Sequence, residues 1–320
     1  MPMHEAVGIP TFQRSAFLYV VLERIRAVEP TIPIHVFPDR GSLLTDPEVE
    51  TVCSRFCVTP HWVPDHRYHG NSYNVMEMYR WAFNSGVERF FMIEDDVIVH
   101  HDFFNWHRAQ LEQWSDLFCS MGWIFNRHAP IVDQELFQPW FYSIGVCFTR
   151  DMLRHVVKHA SPLYYEDMQG YIEKNFDQSK LNTPFGIEHY EQDGLIQRII
   201  DQTKLQTVSP GIAKCDHIGL LGYNRGWSQQ EDFFKDCLSL KDRVRRVREF
   251  AQDEYWRADI FGRDIVEREI GRELPKREFR YRMTIGPWSS NFTSELKPEN
   301  FPRRINSVPV TDDVEFVLIS

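Results

Sequence analysis

The first hundred residues alternate short apolar runs with amphipathic stretches. Ala6 to Ile9 and Ile34 to Phe37 are apolar runs of strand length, and between them Phe17, Val20, Val21, Ile25 and Val28 recur at near-helical spacing from Ser15 onward. A third strand is predicted over Val58 to Val63, after a turn at Asp39-Arg40-Gly41. His69-Gly70-Asn71-Ser72 then opens a helix whose Val75, Met78, Tyr79 and Phe83 share one face, and Ser85-Gly86 closes it. Strands alternating with helices encode a mostly parallel sheet covered by helices, so the expected fold class is α/β.

Arg89 to Ile93 predicts the next buried strand, and Phe90-Phe91-Met92-Ile93 runs straight into Glu94-Asp95-Asp96 before Val97-Ile98-Val99. Three acids between apolar runs are costly without a partner. Farther on, the pattern predicts a strand over Phe141 to Phe148, helices over Met152 to Lys158 and Gln192 to Ile200, and a last strand segment through Val208, Ile212 and Ala213. Beyond residue 228 charges of both signs interleave with apolar positions to about residue 274, which reads as exposed, salt-bridged helix. Val308 to Ile319 alternates like an edge strand. The expected division is an α/β domain over residues 1–228 and a helical appendage with an extended tail over 229–320.

Composition narrows the partners. A chain of 320 residues with 42% hydrophobic content can bury a large core, and 14% aromatics suits either that core or a site that stacks on sugar faces. A net charge of −10 opposes recruitment by phosphate backbones or anionic membranes. No apolar run is long enough for a membrane helix, and charge comes early, so neither a transmembrane span nor a signal peptide is expected. The reading is a cytoplasmic protein with six reduced cysteines, in which the sequon Asn291-Phe292-Thr293 is accidental. Cys53, Cys57 and His61, with His66 and His69 nearby, are zinc-ligating types at loose spacing; buried thiols and a histidine-rich loop are the alternative.

The acids carry the strongest chemical signal. Ligands of α/β sheets collect outside strand carboxyl ends, and Glu94-Asp95-Asp96 stands at one. Carboxylate oxygens there suit a divalent cation, Mn2+ or Mg2+, which neutralises a departing diphosphate; a solvated acidic turn is the alternative. Asp193 and Glu191 open an apolar helix, where a carboxylate can take the proton of an attacking hydroxyl or merely meet the helix dipole. Asn71 and Asn74 sit at a helix N-terminus, which suits a polar ligand or ordinary capping by Asn71.

Ile93-Glu94-Asp95-Asp96 resembles the metal-binding motif of GT-A glycosyltransferases, in the Glu-Asp-Asp form of the N-acetylglucosaminyltransferase I type. As a pattern of elements and motifs the resemblance runs from roughly residue 4 to residue 225. It implies a GT-A, Rossmann-like sheet and transfer of a sugar from a nucleotide diphosphate, UDP-linked, to a hydroxyl acceptor, with inversion as the working expectation and retention open. It implies Asp96 as metal ligand, with Glu94 and Asp95 beside ribose or sugar. Pro10, Thr11 and Arg14 after the first strand, and Asp39 after the second, would approach the nucleotide. Gly145 in Ser143-Ile144-Gly145-Val146 would lie under the donor sugar, although a bulge explains it equally well. Asp216-His217-Ile218-Gly219 resembles the late loop that supplies a histidine to the same metal, and Arg225 would hold diphosphate oxygens.

Two other functions compete. A nucleotidyltransferase also joins a nucleotide to an acidic metal site, but it wants a glycine-rich phosphate loop, and Pro10-Thr11-Phe12-Gln13-Arg14 has no glycine. A non-catalytic nucleotide- or carbohydrate-binding protein of the same fold is the other. The acceptor is open between a glycan and a hydroxymethylated DNA base of a phage-like system. An arginine-rich stretch from Lys241 to Arg282 favours DNA if it forms a basic stripe, and a glycan if its charges pair internally.

Overall fold

The computed structural model describes residues 4–39, 46–61, 70–124, 131, 134–177, 190–219 and 233–275. One side of the main sheet is built on β1 (Glu5–Thr11), buried from Ala6 onward and flanked by parallel partners, β2 (Ile34–Pro38) and β3 (Arg89–Met92). The two ladders end at different heights. Val7 N–H reaches Pro33 O on the β2 side, whereas Gly8 O accepts Ile93 N–H on the β3 side. Side alternation therefore turns Pro10 toward β3, where it has no N–H to give. Pairing with β3 stops at Gly8↔Met92, pairing with β2 continues to Thr11↔Pro38, and the chain after β3 is free to diverge.

The sheet continues through β5 (Leu117–Met121), β6 (Leu136–Gln138), β7 (Val146–Thr149) and β8 (Gln206–Ser209), in the order β2-β1-β3-β7-β5-β8-β6. Strands β2, β1, β3, β5 and β8 run one way; β7 and β6 run against them. The expected α/β class and predominance of one strand direction are observed. Helices α1 (Ser15–Val28), α2 (Glu48–Arg55), α3 (Asn71–Asn84), α4 (Phe103–Gln113), α5 (Arg150–Val157), α6 (Pro162–Glu166), α7 (Met168–Asn175) and α8 (Gln192–Thr203) cover it. One core unites them, with Tyr79, Phe90, Phe91, Phe103, Phe118 and Phe148 all fully buried.

Several local expectations change. Of the strand expected over Val58 to Val63, the described part, to His61, gives an isolated parallel bridge, Val36↔Pro60, where a proline at the pairing position offers no donor. The strand expected over Phe141 to Phe148 begins at Val146, since Gly145 turns the chain at φ +61°. Cys215–His217, read as loop, forms β9 and pairs antiparallel with β4 (Val97–Val99). Ile212 and Ala213 are not strand. Arg40, Gly41, His66, His69, the sequon and the stretch Val308 to Ile319 lie outside the described residues. Among the described residues Cys53, Cys57 and His61 do not gather as a ligand set: Cys53 sits in the main core with its thiol pushed up to about 11 by burial, Cys57 is exposed, and His61 shares a 2.8 Å hydrogen bond with His35. All six cysteines are free. No described helix is long and apolar enough to cross a membrane.

The C-terminal segment is helical as expected, in α9 (Leu240–Gln252), α10 (Glu254–Phe261) and α11 (Arg263–Ile270). It is bonded into the rest by burial: Val244, Val247 and Phe250 of α9 share a cluster with Ala16, Phe17 and Val20 of α1 and with Ile218 beyond β9. Replacing Phe250, which is 0% exposed, by Ala is expected to cost ~3–5 kcal/mol, and denaturant unfolding followed by far-UV circular dichroism measures it.

Candidate metal centre

Where β1 and β3 part, a tight turn closes on the bond from Val97 N–H to Glu94 O, 3.1 Å, with Asp95 and Asp96 at its centre. Both aspartates are buried, at 4% and 5% exposure. The loop between β1 and α1 receives them. Thr11 Oγ1–H donates to Asp95 Oδ2 at 2.6 Å, and Arg14 Nη1–H donates to Asp95 Oδ1 at 3.0 Å and also to Asp96 Oδ2. Gln13, at φ 57°, makes the left-handed step that turns Arg14 inward.

The charge balance is uneven. Burial tends to raise the Asp96 carboxyl, but Arg14 and His217 outweigh it and hold the group well below the usual carboxylate range. Burial pushes Asp95 up, and Arg14 with the Thr11 hydroxyl only partly counters it. Glu94 is driven well above its ordinary value by burial and then by Asp96, Asp193 and Asp95. The guanidinium thus satisfies one face of the aspartates and leaves the other with an excess of acid.

His217 comes to that second face. Antiparallel pairing sets Val97 opposite His217, and Ile218 N–H bonds Asp96 O at 2.8 Å, so the histidine is fixed beside the acidic turn by main-chain register. Its Nε2 lies 3.6 Å from Asp96 Oδ1, an oxygen that is buried without a hydrogen-bond partner among the described residues. Glu94, Asp96 and His217 each offer a ligand atom, all within 4.8 Å of one another. Gly219 keeps the space clear, since a Cβ there would overlap Asp96 Oδ2 and stand 2.5 Å from His217 Nε2. Hard carboxylate oxygens with one imidazole suit Mn2+ or a similar divalent ion, so these residues fit the expected metal.

On the Glu94 side, the Ser143 hydroxyl lies 3.4 Å from Glu94 Oε1 and 3.2 Å from Asp193 Oδ2, and links the acidic turn to the first turn of α8. Asp193 Oδ1 is buried and has no partner among the described residues. Burial raises the Asp193 carboxyl to about 6, against the Ser143 hydrogen bond that lowers it and with Glu191 adding to the rise. Glu191, the N-cap residue of α8, is exposed and makes no side-chain cap bond. The start of α8 is pinned instead by Gln192, whose Oε1 accepts from Ser72 Oγ of α3 at 2.6 Å.

The remaining sequence candidates make other contacts, and Asp39 N–H bonds Thr11 O at 2.9 Å. Pro10 is a buried strand residue. Asp39 Oδ2 accepts Gly70 N–H at 2.9 Å, so it caps α3, and Asn71, expected as the cap, is an exposed first helical residue. Asn74 is buried and donates from Nδ2 to Phe37 O at 2.6 Å, tying α3 to the end of β2. The space at Gly145 is filled by Cys215 Sγ, 2.9 Å from where a Cβ would stand, and by Phe103. Arg225 lies outside the described residues. Glu94, expected at the sugar, joins Asp96 and His217, and Ser143 was named in its segment without a contact role. A hydroxyl that touches acids 49 and 50 positions away leaves no local signature.

No family model matches the chain, and neither does any curated protein. Among solved structures, an active-site mutant of LgtC aligns at a TM-score of 0.45 and 11% identity, over 79% of this chain and 99% of that one. A cytidylyltransferase from Leptospira borgpetersenii serovar Hardjo-bovis aligns at 0.41 and 11%, over 78% of this chain and 94% of its own. Glucosyl-3-phosphoglycerate synthase from Mycobacterium tuberculosis, solved with Mn2+, UDP and glucosyl-3-phosphoglycerate, aligns at 0.34 and 14%, over 46% of this chain and 57% of that chain. Similarity at this level assigns neither substrate nor chemistry to the present chain.

Filling the gap at residue 219 tests the centre. Gly219→Ala is expected to weaken Mn2+ binding by about 10–100-fold, read as free Mn2+ by electron paramagnetic resonance titration.

Proposed function

We propose that the chain is a metal-dependent glycosyltransferase of the GT-A type, which moves a sugar from a nucleotide diphosphate, UDP in the first instance, to a hydroxyl acceptor. The observation that carries this reading is the convergence of ligand atoms of Glu94, Asp96 and His217 within 4.8 Å of one another, beside a further carboxylate, Asp193, whose Oδ1 is buried. Asp96 and His217 would hold the ion, with Glu94 as third ligand. A divalent cation bound there supplies Lewis-acid stabilisation to the departing diphosphate. Arg14 adds a fixed positive charge at the same strand end, held in place by Asp95 and Asp96.

Asp193 is the proposed base. Its unpartnered Oδ1 can accept the proton of an acceptor hydroxyl as the hydroxyl oxygen bonds to the anomeric carbon and the bond to the diphosphate oxygen breaks. A single displacement of this kind inverts the anomeric centre. The Ser143 hydroxyl steadies the other oxygen of the same carboxylate. Glu191, exposed at the N-cap of the same helix, is the alternative base.

The charges of the C-terminal segment bear on the acceptor. Arg243 pairs with Glu48, Arg248 with Glu23, Arg257 with Asp216, Arg263 with Glu267 and Arg272 with Glu254. These arginines are paired within the protein, which supports a glycan acceptor over a DNA base. The nucleotidyltransferase reading is disfavoured by the turn after β1, where the left-handed residue is Gln13 and the arginine faces the acids.

Incubation with a panel of nucleotide sugars and Mn2+ tests the proposal. Release of nucleoside diphosphate supports it, while pyrophosphate formed from a sugar phosphate and a nucleoside triphosphate would establish the rival. Asp193→Asn is expected to lower transfer by about 10²–10⁴-fold while donor binding, followed by calorimetry, persists. The base form of Asp193 exists above its raised value, so the transfer rate should fall as pH drops through about 6. Ser143→Ala removes the bond that lowers this carboxyl and should move that acid limb to higher pH in a pH–rate profile.

A further inference from the structure

The face of β9 opposite the candidate metal centre carries a second group of buried charges. Asp216 points away from the acidic turn and accepts from His100 Nε2 and from Arg257 Nη1, each at 2.9 Å. Arg257, on α10 and 2% exposed, also donates to Glu269 Oε2 at 3.3 Å. Glu269, on α11 and 3% exposed, takes the Trp123 Nε1–H at 2.8 Å and the backbone N–H of His217. The Trp123 ring stands edge-on to the His217 ring, 6.1 Å between centroids and 72° between planes. Ala213 N–H bonds Arg268 O at 3.1 Å, so α11 also fixes the chain entering β9.

His217 is therefore held on both edges of its strand. One edge bonds to the acidic turn through Ile218 N–H and Asp96 O; the other bonds to Glu269. Its ring has a wall in Trp123, and that wall is oriented by the same carboxylate. Ion groups this deeply buried are costly, and apolar residues would pack the place at less expense. What Glu269 supplies is directional: its carboxylate bonds the main chain of His217 and the Trp123 ring that neighbours it.

We propose that Glu269 is a positioning residue for the metal centre, through which the C-terminal helices hold His217 at ligating distance from Asp96 and Glu94. The inference rests on the metal reading above and adds to it that the helical segment belongs to the site's machinery. Glu269 touches no reacting atom; it acts through His217.

The test is a double-mutant cycle in the full chain, with Mn2+ alone as the probe and free Mn2+ read by electron paramagnetic resonance. Glu269→Met keeps the volume, and Arg257 stays paired with Asp216, so no buried charge is stranded. It is expected to weaken Mn2+ binding by about 10–100-fold, the range for residues that orient a ligand. In a His217→Ala background the same change should have no further effect, because the residue it acts through is gone. An equal loss in both backgrounds overturns the positioning role, as does a folded Glu269→Met protein that binds as tightly as wild type. Should Glu269→Met fail to fold, Trp123→Phe keeps a ring against His217 while removing the indole donor along with part of the ring volume; a several-fold weaker Mn2+ affinity is expected, and an unchanged one overturns the proposal. Wild-type protein that takes up no Mn2+ removes the metal reading itself, a failure distinct from the others.

Discussion

Negative charge gathered at the end of one buried strand is the constraint to which the rest of the structure answers. Glu94, Asp95 and Asp96 follow β3 after Ile93 alone, Asp193 stands one hydroxyl away, and the two aspartates of the turn are nearly inaccessible to water. Like charges so placed repel strongly in a poorly screened interior. Arg14 answers part of that repulsion and Thr11 a little more. Two oxygens, Asp96 Oδ1 and Asp193 Oδ1, are left without a hydrogen-bond partner among the described residues; under the proposed function the first would meet a cation and the second a proton.

The topology distributes these tasks. Pro10 ends the ladder between β1 and β3 early, and the opening admits the loop that carries Arg14. The reversed strand β7 lies between β3 and β5, so the chain entering it passes the end of β3 and delivers Ser143 to Glu94. The small sheet of β4 and β9 brings His217 to the opposite flank of the turn. Three segments far apart in sequence thus reach one point: Arg14 at the start of α1, Ser143 just ahead of β7, and His217 within β9.

Behind β9 the arrangement is unlike a detachable appendage. Phe250 and its neighbours close an apolar contact with α1, and Arg257 and Glu269 enter the strand's far face. Burial lifts Glu269 to about 8, with Asp216 adding to the rise against Arg257, so this group too sits near the edge of its charged range. A buried network of this kind is sensitive to any missing member, because every bond lost leaves a polar group with no water to turn to.

What the sequence determined was local: the α/β alternation, the helix over Ser15–Val28 at its observed ends, and three acids at a strand exit, each written in the spacing of apolar residues or in a short run of one chemistry. The residues that could bear on chemistry were legible for the same reason, since carboxylates and a histidine at element ends are conspicuous against an apolar background. Tertiary structure alone decided which of them meet. Periodicity tells which face of an element is buried but not what lies across from it, so it could not distinguish Asp39 and Asn74, absorbed in holding α3, from Glu94, which joins Asp96 and His217. Nor could it foresee that Cys215–His217 pairs with Val97–Val99, or that Glu269 closes on the backbone of His217, because strand register and burial of charge are settled between segments more than fifty residues apart.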